Sequence, residues 1–69
     1  MAVKMSYKNL WKLLIDKDMT KTDLRRAAGI SSSSLAKLSK DENVTTSVLL
    51  KICSCLDCNL NDIAEIIKI

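Results

Sequence analysis

Sixty-nine residues allow one domain with a thin core, since so short a chain buries only about 60% of the surface it exposes when unfolded; a deep substrate pocket beside that core is excluded. With no proline, a single glycine (Gly29) and 48% hydrophobic residues, a β-rich chain with several tight turns is excluded too, and helices joined by short Ser-, Thr- or Asn-capped connections are favoured. The formal charge of +3 divides unevenly: residues 1–40 hold nine Lys and Arg against three acids, net +6, and residues 41–69 hold two against five, net −3, so one end suits a polyanion.

Residues 1–5 read as a short arm. Ser6 is placed to cap a first helix over residues 7–18, where Tyr7, Leu10, Leu13 and Leu14 share a face at about 100° per residue and Trp11 and Ile15 flank it. Thr20, with Asp23 three residues on, makes a capping box for a second helix, whose Leu24, Ala27 and Ala28 face inward. Gly29 ends that helix, because it takes left-handed geometry without a Cβ penalty. Ser31 caps a third helix to about residue 40, with Leu35 and Leu38 inward. Thr45 caps a fourth through residue 56, where Val48, Leu49, Ile52, Cys53 and Leu56 form a broad apolar arc. Asp57 tolerates the left-handed turn that must follow, and Asn59 with Asp62 begins a fifth helix running to the end of the chain.

No segment reaches the ~18 apolar residues of a membrane span, and no signal-peptide pattern opens the chain. Three cysteines, an odd number, fit a reducing compartment better than a disulfide framework. Cys53, Cys55 and Cys58 lack a histidine or a fourth cysteine to complete a zinc site, and Cys53 and Cys55 diverge by about 200° on a helix, so no metal is expected. With no histidine and no convergent carboxylate pair, neither is enzymatic activity.

The informative stretch is residues 21–38, K-T-D-L-R-R-A-A-G-I-S-S-S-S-L-A-K-L. Two short helices meet at one glycine, with small residues at their closest approach. On the second of them Ser32, Ser33, Ala36, Lys37 and Lys40 point away from Leu35 and Leu38. A helix displayed in that way fits the DNA major groove, about 12 Å wide.

This segment resembles the helix-turn-helix of the lambda repressor/Cro-like (XRE-type) regulators. The likeness continues through V-T-T-S-V-L-L-K-I-C-S-C-L-D-C-N-L-N-D-I at residues 44–63 and covers about residues 7–67. It implies an all-α, five-helix DNA-binding domain over residues 1–69, with the recognition helix third in order and usually a dimer on a near-palindromic operator. Ser32, Ser33 and Lys37 are then the candidate base contacts, Lys37 through guanine O6 and N7. Lys21, Arg25, Ser31, Lys40, Asn43 and Thr45 are the candidate phosphate contacts, helped by the helix N-termini at Thr20 and Ser31. Lys21 stands where the family usually has Gln, and Arg25 where it often has Ala.

Ile66 and Ile69 extend the apolar stripe of the last helix beyond what one core needs and are the candidate surface for a homodimer. The expected partners are operator DNA and a second copy, without cofactor, small-molecule ligand or membrane, in the cytoplasm of a bacterium or encoded by a mobile element. The rival expectation is a protein-interaction module, such as an antitoxin or anti-repressor, because the recognition face is rich in Ser and poor in Arg, Asn and Gln.

Overall fold

Short polar side chains close the first turns of three helices. Thr20 and Asp23 exchange hydrogen bonds, the Asp23 N–H to Thr20 Oγ1 at 3.1 Å and the Thr20 N–H to Asp23 Oδ2 at 3.0 Å. Ser31 Oγ accepts from the Ser34 N–H at 3.1 Å, and Thr45 Oγ1 from the Val48 N–H at 3.3 Å. Each satisfies a backbone donor that a helix start otherwise leaves unpaired. Gly29 takes φ 70°, and a Cβ there would meet nothing within 4 Å, so the left-handed backbone alone calls for glycine. Asp18, Asp41 and Asp57 make the other left-handed turns, as short polar side chains do more readily than most.

In the computed structural model, which describes residues 2–69, the order is β1 (Val3–Ser6), α1 (Lys8–Asp16), α2 (Lys21–Ala28), α3 (Ser32–Ser39), α4 (Thr46–Leu56), a 3-10 turn (Leu60–Asp62) and β2 (Glu65–Lys68). The core gathers Tyr7, Leu10, Leu14, Leu24, Ile30, Leu38, Ile52, Leu56, Ile63 and Ala64, drawn from every helix and from the loops between them.

The structure corrects both ends of the sequence reading. There are four helices among the described residues, not five: the segment after Asn59 makes one 3-10 turn and then β2. The expected N-terminal arm is β1, paired antiparallel with β2 in the register Val3 to Lys68, Lys4 to Ile67, Met5 to Ile66 and Ser6 to Glu65. The apolar spacing at Leu60, Ile63, Ala64 and Ile67 is too short a run to separate helix from strand. The β-branched residues of the last segment favour a strand once a partner is available, and that partner lies at the far end of the chain. Leu60, expected inside, is exposed, as is Ala27 of α2.

The start of α1 also differs. Ser6 is buried within β1 and caps nothing. Instead Asp41, 34 residues away, accepts the Tyr7 N–H on Oδ1 at 3.1 Å, and the Tyr7 hydroxyl donates to the Glu42 carbonyl at 2.9 Å. Tyr7 is 1% exposed and so latches the loop that follows α3 onto the base of α1. Burial first, then the Asp41 charge, pushes the Tyr7 phenol above its ordinary 10.0. A raised value in the fold means that the neutral phenol's contribution is complete below about pH 10 and is lost as pH climbs through the folded value. Tyr7→Phe is therefore expected to cost about 1 kcal/mol at neutral pH, with the gap to wild type narrowing above about pH 10. Urea midpoints measured from neutral to alkaline pH check this; a gap constant with pH would contradict it.

Candidate nucleic-acid interface

The turn between α2 and α3 rests on two anchors. Ile30 is buried and donates its N–H to the Arg25 carbonyl at 3.2 Å, beside the Gly29 N–H to the same oxygen at 3.0 Å. That bond pair holds the chain while it changes direction, and Ser31 restarts it as α3. Leu24 and Leu38, both fully buried, seat the two helices on the core.

With Leu38 inward, α3 turns Ser32, Ser33, Ala36 and Lys37 outward, with Lys40 at its C-cap; all five are exposed, while Ser34 and Leu35 are half-buried. The predicted reading face is thus displayed as one strip. Ser31 is exposed, but its hydroxyl is committed locally, accepting from the Ser34 N–H and donating to Ser34 Oγ at 3.1 Å. No acidic residue lies in the first turn of α3, which leaves its N-terminal dipole open to an anion.

The N-terminus of α2 is different. Its capping box uses the Thr20 N–H internally and places a carboxylate there. Hydrogen bonds from the Thr20 backbone and side chain hold the Asp23 carboxyl below its ordinary 3.8. An ionised Asp23 opposes a phosphate at that position, so the anion site expected at Thr20 is withdrawn. Lys21, next in the chain, lies with its Nζ 4.3 Å from the centre of the Trp11 ring and 3.3 Å from Ser39 Oγ. Arg25 is half-buried.

Asn43 and Thr45 are exposed in the loop beyond α3. A groove there is lined by Lys4, Met5, Lys37, Asp41, Glu42 and Asn43, with Val3, so β1 brings Lys4 beside Lys37 of α3. Sequence reasoning missed Lys4 because an unpaired arm has no fixed position. Ile66 and Ile69 are exposed, 69% and 78%, but strand alternation sends them to opposite faces of the ribbon, where a helix would have kept them on one. The apolar groove that Ile66 does join is lined by Met5, Leu60 and Ala64. The cysteines are half-buried, and burial together with the neighbouring Cys53 pushes the Cys58 thiol above its ordinary 9.0, which keeps it a poor nucleophile. No helix is long and apolar enough to cross a membrane among the described residues.

Residues 9–68 match the sequence model of the Cro/C1-type helix-turn-helix DNA-binding domain. The chain belongs to that family. The fold is similar to a crystal structure of the transcriptional regulator VanUg, form II, with a TM-score of 0.96 and 51% sequence identity, covering 100% of this chain and 92% of that one. No curated protein matches the sequence.

Proposed function

We propose that this Cro/C1-type domain is a sequence-specific transcriptional regulator, acting as a repressor, that inserts α3 into the major groove of an operator as one half of a homodimer. The exposed strip of Ser32, Ser33, Ala36, Lys37 and Lys40 beyond a buried Leu38 carries this reading. Lys37 reads a guanine edge, and Ser32 and Ser33 supply hydroxyls that donate or accept. Lys21, Arg25 and Lys40 neutralise phosphates, and the loop residues Asn43 and Thr45, with the α3 N-terminus at Ser31, add neutral contacts that fix the register. The protein acts by binding rather than catalysis, on DNA in the bacterial cytoplasm.

The homodimer reading draws on the apolar end of the ribbon. Leu60 and Ile66 are exposed there and line one apolar groove with Met5 and Ala64, a surface of the kind that a partner covers; Ile69, on the other face, is left out of it. A second copy seated on this end sets two recognition helices about 34 Å apart, one DNA turn.

Lys37→Ala tests the role of α3. The variant is expected to lose about 1–3 kcal/mol on the preferred duplex and to relax base choice at one position, whereas Lys40→Ala weakens every sequence alike. Binding measured against a panel of single-base variants separates the two. Equal losses for both variants on every duplex would remove Lys37 as a reader.

A further inference from the structure

One ammonium group, carried by α2, touches two other helices. Lys21 is the first residue of α2, Trp11 lies in α1, and Ser39 is the last residue of α3. The Lys21 Nζ sits 4.3 Å from the Trp11 ring centre and donates to Ser39 Oγ at 3.3 Å. Lys21 and Ser39 are exposed and Trp11 is half-buried, so the cluster stands at the surface, on the edge of the helix pair beside the reading strip.

A lysine side chain with four rotatable bonds is a poor phosphate ligand unless something limits where its charge can be. Ordering such a side chain on binding opposes affinity. Here the ring face attracts the cation and the serine hydroxyl takes one N–H. An ammonium has three donors and no acceptor, so after the ring and Ser39 are served a third N–H remains for a phosphate oxygen.

We propose that Trp11 and Ser39 are positioning residues that hold the Lys21 ammonium in place for one DNA phosphate, and that in doing so they tie the recognition helix to α1. The proposal rests on the DNA-binding reading above. It differs from a surface lysine making a chance contact, because the charge is already placed before DNA arrives. It also makes Trp11, the chain's one tryptophan, an optical reporter of the phosphate contact, since neutralising a cation over the indole changes its emission.

The test compares wild type, Ser39→Ala, Lys21→Met and the double variant, titrated with duplex DNA at several salt concentrations. Ser39→Ala is expected to weaken binding about threefold on every sequence while keeping the wild-type salt slope, because Lys21 still meets its phosphate. Lys21→Met is expected to weaken binding further and to reduce the slope by about 0.9 per subunit. In the Lys21→Met background Ser39→Ala is expected to add nothing, and Lys21→Arg, whose guanidinium also stacks on an aromatic ring, restores most of the loss. Saturating DNA shifts Trp11 emission in wild type and not in Lys21→Met. Losses at Ser39 and Lys21 that simply add, or an emission shift that survives Lys21→Met, overturn the proposal and leave DNA binding intact. Wild-type protein that binds no duplex at all overturns both.

Discussion

Raising salt from about 50 to 200 mM is expected to weaken duplex binding by about a thousandfold. In the proposed function three cations per subunit, Lys21, Arg25 and Lys40, meet phosphates, so the proposed dimer would neutralise six. Each neutralised phosphate releases condensed counterions and contributes about −0.9 to the slope of log affinity against log salt, which gives about −5.4 for the dimer and about −2.7 for a monomer. The slope therefore reports stoichiometry as well as mechanism. Fluorescence anisotropy with one labelled duplex at four or five salt concentrations measures it. A flat dependence would contradict the phosphate assignments and favour a protein partner for the serine-rich face of α3.

Leu38→Ala is expected to cost about 2–5 kcal/mol of stability. Leu38 is 0% exposed and belongs to the same helix as Lys37, one residue further round. Its side chain joins α3 to a core to which every helix contributes, so its removal leaves a cavity beneath α3. A domain of this length has about 3–10 kcal/mol of stability in total, and the substitution takes a large share of it. DNA binding is then lost through unfolding, unlike Lys37→Ala, which is expected to change stability by less than about 0.5 kcal/mol. Thermal or urea denaturation of the two variants side by side checks the contrast. Equal stabilities would place Leu38 outside the core and undo the orientation of α3.

The helix-turn-helix was legible because its signals are local. Thr20 with Asp23, Gly29, Ser31 and Thr45 each act on backbone within a few residues of themselves, and each behaves in the fold as its chemistry suggests. The inward face of α3 followed from Leu35 and Leu38 at helical spacing, and the outward face from what remained. What could not be read were contacts that close long loops. The β1–β2 ribbon joins residues 3–6 to residues 65–68, and nothing in a four-residue strand announces a partner more than fifty residues away. The Asp41 cap of α1 spans 34 residues, so the nearer Ser6 looked sufficient. The Lys21 cluster draws one residue from each of three helices; its lysine was recognisable as a candidate phosphate ligand, but not the ring and hydroxyl that place it. The same loss of helix at the C-terminus separates Ile66 from Ile69, two residues whose shared face existed only on a helical wheel.

The assignment of α3 as a reader of operator sequence is tested most directly by selecting bound duplexes from a random-sequence library. A near-palindrome with half-sites about 34 Å apart, one helical turn, is the predicted winner, with one position per half-site losing its preference when Lys37 is replaced by Ala. A pool no different from the starting library after repeated rounds, or the same winning sequence from wild type and from a variant lacking Ser33 and Lys37, would contradict it.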